Sequence, residues 1–411
     1  MTDPTRIACF FSTSGHSGVD RLAQNLLPAL GRRGYRVDLL KVRHHGPELG
    51  EVPEGVEVRD LGSRHTYACL PAIVRYLRRE RPAVMLADKD RVNRTALAAR
   101  ALAGVSTRLV LRSGTTVSVD LASRGRLERW VQRRSMGWLY HFADEVVVNS
   151  QAAADDLSAY TGLPRQRIRV VPNPAVPDAR FEETLTRPAH PWFAPGEPPV
   201  ILGVGELGAR KDFGTLIRAF AMVRRQRACR LLILGRGRAR DQLQRLASRL
   251  GVAADVELPG FRADPQCYMA HAAVFAFTSL WEGNPVVLPE ALAVGTPVVA
   301  TDCPSGPREV LKGGRYGPLV RMGDAMALAA AIVETLDNPL PAQALRDAAR
   351  PFTVEASTDA YLDAMGLPRR APAQTVAAPP GQRTINARPP TTATDPVGEQ
   401  SGNQALRVHD E

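Results

Sequence analysis

Lysine is almost missing from this chain. Lys41, Lys89, Lys211 and Lys312 are the only ones, and arginine supplies nearly all the positive charge. The formal net charge of +11 invites a nucleic-acid reading. Against it, arginine is spread over most of the expected helices, and no recognisable DNA- or RNA-binding motif organises it. The charge reads mainly as solvated surface, with attraction to anionic membranes or nucleotides as a lesser theme. Cysteine is equally unhelpful as a scaffold: Cys9, Cys69, Cys229, Cys267 and Cys303 stand far apart and never in C-x-x-C spacing. That excludes a zinc or disulfide frame and fits a reducing compartment. The histidines show no HExxH spacing, and His44-His45 reads as a solvated loop. No apolar run approaches the roughly 18 residues of a membrane span. The first apolar segment, residues 7–11, is too brief for a secretory leader. Cytoplasmic residence is expected, with the inner face of the cytoplasmic membrane as the surface the chain would meet.

What is present is alternation. In the first part, short apolar runs at 7–11, 36–40, 56–61, 84–87, 108–111, 145–148 and 168–171 are separated by amphipathic stretches at 20–32, 72–79, 91–103, 127–142 and 151–160. Strands alternating with helices predict an α/β, doubly wound parallel sheet, whose ligands bind at the strands' carboxyl ends. Residues 178–198, rich in proline, read as a connector. The alternation then restarts with strands at 200–204, 230–234, 255–258, 273–277, 297–300 and 318–320. The expected organisation is a first unit over 1–177, a linker over 178–198, a second unit over 199–367 and a disordered tail over 368–411. The tail lacks aromatic residues and cannot bury enough surface to order itself. Two such units joined by a linker leave a cleft between facing carboxyl ends.

The stretch from Ser279 to Leu292 organises the second unit. Glu282 falls in the loop after an apolar strand, and Pro289 and Glu290 fall in the first turns of a helix running toward Gly295. Two carboxylates at this spacing, beside a helix start, suit a ligand with phosphates and hydroxyls; acids near helix starts also serve merely as caps. Earlier, the strand at 200–204 runs into Gly203-Val204-Gly205-Glu206-Leu207-Gly208, a literal G-x-G-x-x-G. A dinucleotide site would need an acid about 20 residues further on for the ribose, yet no Asp or Glu occurs from Phe213 to Arg240. The nicotinamide reading fails there. Arg210-Lys211 follows at the mouth of the sheet, either as solvated surface or as two cations that neutralise a diphosphate. Gly15 and Gly18, after the first strand, suit either an ordinary βα turn or a close backbone approach to an anion. Asp88-Lys89-Asp90 has the look of a metal-holding D-x-D but lacks further acids, and a surface turn explains it better. No metal is expected.

Taken together, Glu282 and Glu290 after one strand, Gly205 with Arg210-Lys211 after another, Gly15/Gly18 after the first and Asn173-Pro174 opening the second half resemble the retaining, family-four glycosyltransferases of the GT-B fold. Gly260-Phe261, Trp281-Glu282-Gly283, Glu290-Ala291-Leu292-Ala293 and Gly295-Thr296-Pro297 follow in the family's order, and the resemblance covers residues 6–366. It implies two Rossmann-like domains clamping a nucleotide-sugar donor, with Arg210 and Lys211 on the diphosphate and Glu282 on the transferred sugar. Glu290 would take the ribose, amides near Gly283, Val286 and Val287 the phosphates, and the Gly260-Phe261 loop the base. The implied function is transfer to a glycan or lipid-linked acceptor, with no cofactor, in bacterial surface polysaccharide assembly. Alternatives are a sugar-nucleotide epimerase of the same fold, or a nucleotide-sugar or polyanion-binding protein without catalysis. Departures include Glu206 where the family commonly has Arg, Leu111-Arg112-Ser113 where it often has a His, and Asn284-Pro285 in place of an aromatic-Gly pair. A last feature concerns partners. Arg124, Arg126, Arg129, Arg133 and Arg134 interleave with Trp130, Val131, Met136, Trp138, Leu139 and Tyr140. Such a helix either lies on an anionic membrane or packs its tryptophans into the domain.

Overall fold

Strands that are apolar along their whole length have to be covered on both faces, and parallel pairing with helical crossovers achieves that. The computed structural model, which describes residues 5–13, 18–121, 125–282 and 285–372, does so twice. The first sheet holds β1 (Arg6–Phe11), β2 (Arg36–Lys41), β3 (Val56–Asp60), β4 (Val84–Asp88), β5 (Arg108–Ser113), β6 (Glu145–Val148) and β7 (Ile168–Val170), in the order β3-β2-β1-β4-β5-β6-β7. The second holds β8 (Val200–Val204), β9 (Arg230–Leu234), β10 (Val256–Gly260), β11 (Val274–Phe277), β12 (Val298–Thr301) and β13 (Leu319–Val320), in the order β10-β9-β8-β11-β12-β13. All ladder pairs are parallel. Every strand expected from the sequence is present, with ends moved by a residue or two. The order reverses between β1 and β4 and again between β8 and β11, which marks two crevices for ligands.

The helices of the first half are α1 (Gly18–Arg32), α2 (Leu70–Glu80), α3 (Asp90–Ala103), α4 (Val117–Asp120), α5 (Arg126–Leu139) and α6 (Gln151–Thr161). Those of the second are α7 (Phe213–Arg224), α8 (Arg240–Arg249), α9 (Pro265–His271), α10 (Val287–Ala293), α11 (Pro307–Val310), α12 (Ala325–Asp337), α13 (Ala342–Ala349) and α14 (Val354–Met365). On one face of the first sheet, α2, α3, α5 and α6 cover Ala8, Phe10, Met85, Leu109 and Val146. The other face carries α1 and, from the far end of the sequence, α14: Tyr361, Leu362 and Met365 pack with Ile7, Cys9 and Val110.

That packing corrects the expected extent of the second unit over 199–367. Its last helix returns to the first sheet. Arg33, just after α1, pairs with Asp359 and, at 2.5 Å, with Glu355. Arg112, buried at the end of β5, donates from Nε to Tyr361 Oη (2.8 Å), from Nη1 to Asp88 (2.8 Å) and from Nη2 to Asn173 (2.6 Å). Asp88 is thus committed to Arg112, while Asp90 pairs with Arg94 and accepts from Gln132 at 3.1 Å. The Asp88-Lys89-Asp90 carboxylates serve different partners. Nor is the connector slack: Phe193 is buried, and Trp192 packs against the second sheet's core. From residue 373 on, the expected tail lies outside the described residues.

Helix α5 departs from one of its two readings. Only Met136 is buried along it, and Leu139 packs inward. Trp130 and Trp138 are 61% and 67% exposed, with Leu127 and Val131 beside them. The tryptophans are not packed into the domain. Arg124 lies outside the described residues.

Because Asp88 is fully buried and its Oδ2 is held by Arg112, removing the guanidinium leaves that carboxylate without its charge partner. Arg112→Leu is expected to cost about 3 kcal/mol or more and to loosen α14, read as an earlier urea midpoint with faster amide exchange over 354–365. A midpoint equal to the parent's would refute this.

Candidate functional site

Strand ends at the second reversal point supply the cluster. The chain leaves β8 through Gly205, whose missing side chain makes room for a lysine: a Cβ there would stand 2.8 Å from Lys211 Cε. Gly235, after β9, is tighter still, since a Cβ would meet Gly205 O at 1.8 Å. So these glycines of the two loops serve close backbone approach, not a dinucleotide. A short turn, Ala209–Lys211, then leads to Asp212, which caps α7 by accepting from Thr215 N at 3.2 Å. Asp212 sits in the left-handed region, at φ 42°. The loop after β11 is stitched to this turn. Thr278 Oγ1 donates to Lys211 O at 2.7 Å and Leu280 N to Arg210 O at 2.8 Å.

These bonds bring Glu282 between the two cations. Arg210 Nη1 lies 2.7 Å from Glu282 Oε2, and Lys211 Nζ lies 2.7 Å from Oε1. Ser279 Oγ donates to the same Oε1 at 2.9 Å, and the Lys211 ammonium stands 5.4 Å from the Phe277 ring centroid. Lys211 and Glu282 are nearly sequestered, while Arg210 keeps a 38% exposed side chain. Two cations around one carboxylate leave an uncancelled positive charge in a low-dielectric crevice. The nearby Cys303 thiol is pushed up to about 12 by burial and then by Glu282's charge, so it stays protonated and is no nucleophile.

Glu290 lies on α10 and is 2% exposed. Its Oε1 accepts from Gln266 Nε2 at 3.1 Å and faces Arg21 Nη1 at 3.4 Å, across from α1 of the first half. Its Oε2 has no partner among the described residues. Burial pushes the carboxyl up to about 6, against the opposing pull of Arg21 and Gln266. Gly260, at φ 93°, turns the chain at the end of β10, and the exposed Phe261 ring lies 5.7 Å from the Arg236 guanidinium. Val286 and Val287 open α10. Gly18 begins α1 with open space beside it. Gly15 and Gly283 lie outside the described residues. Glu206 is exposed and away from the cluster's hydrogen bonds. Among the described residues, no group of three His, Cys, Asp or Glu is placed to hold a metal.

Arg21, Gln266, Thr116 and Ser305 escaped the sequence reading. Ser305 Oγ donates to Glu282 O at 2.6 Å and lies 3.2 Å from Thr116 Oγ1. Glu309 accepts from Gln151 N (2.8 Å) and Ala152 N (3.0 Å), the first amides of α6. The Ser305–Thr116 and Glu309–α6 contacts join segments at the carboxyl ends of both sheets, so the two ends face one another. The only sequence signal was the small-residue run Cys303-Pro-Ser-Gly-Pro307 after β12.

Two facing doubly wound sheets with a charged crevice between their carboxyl ends define the GT-B class. Comparison with known proteins agrees. Residues 17–174 match the model of the glycosyl transferase 4-like domain, and residues 198–338 that of glycosyl transferases group 1. HepE of Anabaena, solved in complex with UDP, superposes with a TM-score of 0.70 at 20% identity, over 88% of this chain and 99% of that one. The N-acetylgalactosamine-N,N'-diacetylbacillosaminyl-diphospho-undecaprenol 4-alpha-N-acetylgalactosaminyltransferase of Campylobacter jejuni is 28% identical over 84% of this chain and 94% of its own length. The lipopolysaccharide core biosynthesis glycosyltransferase LpsE of Rhizobium meliloti is 37% identical over 41% of this chain, spanning half of that protein. A glycosyltransferase of Methanocaldococcus jannaschii matches at 30% over 43% of its length. This chain belongs to the group 1 glycosyl transferases of GT-B fold.

A buried carboxyl held above its ordinary range destabilises the fold only once ionised. The Glu290 penalty is therefore absent below about pH 4.5 and fully present above about pH 6. Relative to Glu290→Gln, the parent is expected to lose about 2 kcal/mol across that window. Urea melts of both proteins from pH 4 to 8 check it; a constant difference between them would be the contrary result.

Proposed function

We propose that this chain moves a hexose-type sugar from a nucleotide-diphosphate-sugar to a glycan or lipid-linked acceptor, with retention of anomeric configuration and without a metal, in cell-surface polysaccharide assembly. One observation carries the reading: Arg210, Lys211 and Glu282 converge at the reversal point of the second sheet. In the reaction, the bond from the anomeric carbon to the diphosphate oxygen breaks, and that oxygen leaves with the electron pair. Arg210 and Lys211 stabilise the growing charge, as a divalent metal does on other scaffolds. The acceptor oxygen bonds to the anomeric carbon on the face just vacated, and its proton passes to the departing phosphate oxygen. Glu282 accepts hydrogen bonds from hydroxyls of the transferred sugar. Glu290, whose Oε2 has no partner among the described residues, accepts from the ribose, and the Phe261–Arg236 pair offers a flat surface for the base. Backbone at Gly15, Gly18, Gly205, Gly283, Val286 and Val287 completes the donor seat by family resemblance. The names of the relatives support the substrate class: one acts on a diphospho-undecaprenol, and another was solved with UDP.

The acceptor side supports a membrane partner. Leu127, Trp130, Val131, Arg134 and Trp138 share one stripe of α5 at helical spacing, all turned outward, with Arg126 and Arg133 on its flank. Trp138 is extended by the exposed Phe142, edge to face at 5.2 Å. On the same helical layer, a cavity of about 730 Å³ between α2 and α3 is floored by Leu70, Val74 and Leu102 and rimmed by Arg75, Arg78 and Arg79. Aromatic rings at headgroup depth with guanidinium groups around them match an anionic bilayer surface. No described helix is long and apolar enough to cross a membrane.

Thermal-shift screening of UDP-, GDP- and ADP-sugars, followed by transfer assays with EDTA present, tests the reaction. Glu282→Ala is expected to reduce transfer by about 100-fold or more while polyanion binding persists. Net epimerisation without an acceptor, or transfer that needs added Mn²⁺, would defeat the reading. Flotation with vesicles of phosphatidylglycerol tests the partner: the parent is expected to float and the combined Trp130→Ser/Trp138→Ser variant to remain below. Equal flotation would remove α5 from the account.

A further inference from the structure

The segment between β12 and α11 is held in an awkward shape for a connecting loop. Ser305 is a serine in the left-handed region, at φ 58°, followed by Gly306 at φ 96°. It is only 7% exposed. A non-glycine residue kept in that region is held there by its surroundings. Its hydroxyl has one proton, given to the Glu282 carbonyl at 2.6 Å. Toward Thr116 Oγ1, 3.2 Å away on the loop after β5, Ser305 must therefore be the acceptor and Thr116 the donor. Four residues on, Glu309 places its carboxylate on the first two amides of α6, where the helix's positive end favours it. The two docking points belong to one pad of the first lobe. Asn149 Nδ2 donates to Gly114 O at 2.9 Å, and Ser118 N to Asp156 at 3.0 Å, tying the Thr116 loop to α6.

We propose that residues 305–309 read the docking of the first lobe and set the Glu282 peptide accordingly. Ser305, Thr116 and Glu309 act as positioning residues that hold Glu282 in register with Arg210 and Lys211 when the lobes meet. Hydroxyl chains strengthen cooperatively, so losing the Thr116 donor weakens the bond to Glu282 as well. The consequence is that donor chemistry is enabled by docking of the lobe that carries the acceptor side, which limits wasteful hydrolysis. The inference rests on the transfer reading above.

Ser305→Gly isolates the hydroxyl. It removes the group while relieving the left-handed backbone, so the full chain keeps or raises its thermal midpoint. In the absence of any sugar nucleotide, amide exchange over 114–118 and 151–153 is expected to quicken by about fivefold. In transfer assays kcat is expected to fall about tenfold with donor KM within about twofold. Thr116→Val should match it, and the double variant should be no worse than either alone. Unchanged exchange in Ser305→Gly overturns the proposal. So does a KM change with kcat intact, or additive losses in the double variant. Should the parent transfer no sugar from any donor, the reaction reading fails, and the exchange experiment still decides the latch.

Discussion

A single carboxylate shared by two cations is the constraint from which the second lobe takes its shape. Glu282 lies 2.7 Å from both Arg210 and Lys211, and the Lys211 and Glu282 side chains are both largely removed from water. Buried without its partner, either would be costly; together they are tolerable. The demand propagates outward. Lys211 reaches the carboxylate because Gly205 has no side chain in its way. The loop bearing Glu282 stays in register because Thr278 and Leu280 bond to the Lys211 and Arg210 carbonyls. That these two loops are neighbours at all follows from the strand order, in which β8 and β11 adjoin where the winding reverses. Local chemistry and topology thus select the same place.

Much of this was legible in the sequence. Parallel strands buried on both faces announce themselves as uninterrupted apolar runs, and β8, β9 and β6 appear with the expected ends. Arg210, Lys211, Glu282 and Glu290 stood out because charged residues directly after such runs occupy strand mouths. Three features were not legible, for separate reasons. Helix α14 follows the second lobe in the chain but packs on the first, and amphipathic periodicity says which face is apolar, not which sheet it meets. Trp130 and Trp138 carry the same stripe whether a core or a bilayer covers them. Ser305 and Thr116 meet across 189 residues through hydroxyls, and no local pattern encodes such a pairing.

On the proposed transfer reading, the facing loops also bear on how a donor would be accommodated. Every charged group assigned to the donor seat already has a partner within the chain: Glu282 holds Arg210 and Lys211, and Arg21 faces Glu290. Binding is then an exchange of ion pairs, and its free energy is the difference between the new set and the old. A diphosphate, with charge enough for both cations, can displace one carboxylate from Arg210 and Lys211. The sugar hydroxyls then give the freed Glu282 new donors. A nucleoside alone would meet the ribose carboxylate but leave the cation pair unchanged, and inorganic phosphate would do the reverse.

On the proposed transfer reading, the sugar and the ribose of the donor would meet opposite ends of one loop-and-helix unit. Glu282 precedes α10 and Glu290 sits on it, so any movement of the Glu282 loop toward the sugar is anchored by a helix whose Leu288, Ala291 and Leu292 are fully buried. Arg210, the more exposed of the two cations, is free to follow a phosphate outward, whereas Lys211, beneath the Phe277 ring and beside Gly205, is not. On the proposed transfer reading, an exposed guanidinium beside a sequestered ammonium suits a group whose charge grows as its bond breaks: the ammonium would define where the diphosphate lies, and the guanidinium would follow the departing oxygen. Glu206, at the position where the family's arginine was expected, is exposed and takes no part in the cluster. On the proposed reading, the contact of that missing cation is either lost or shifted to Arg210.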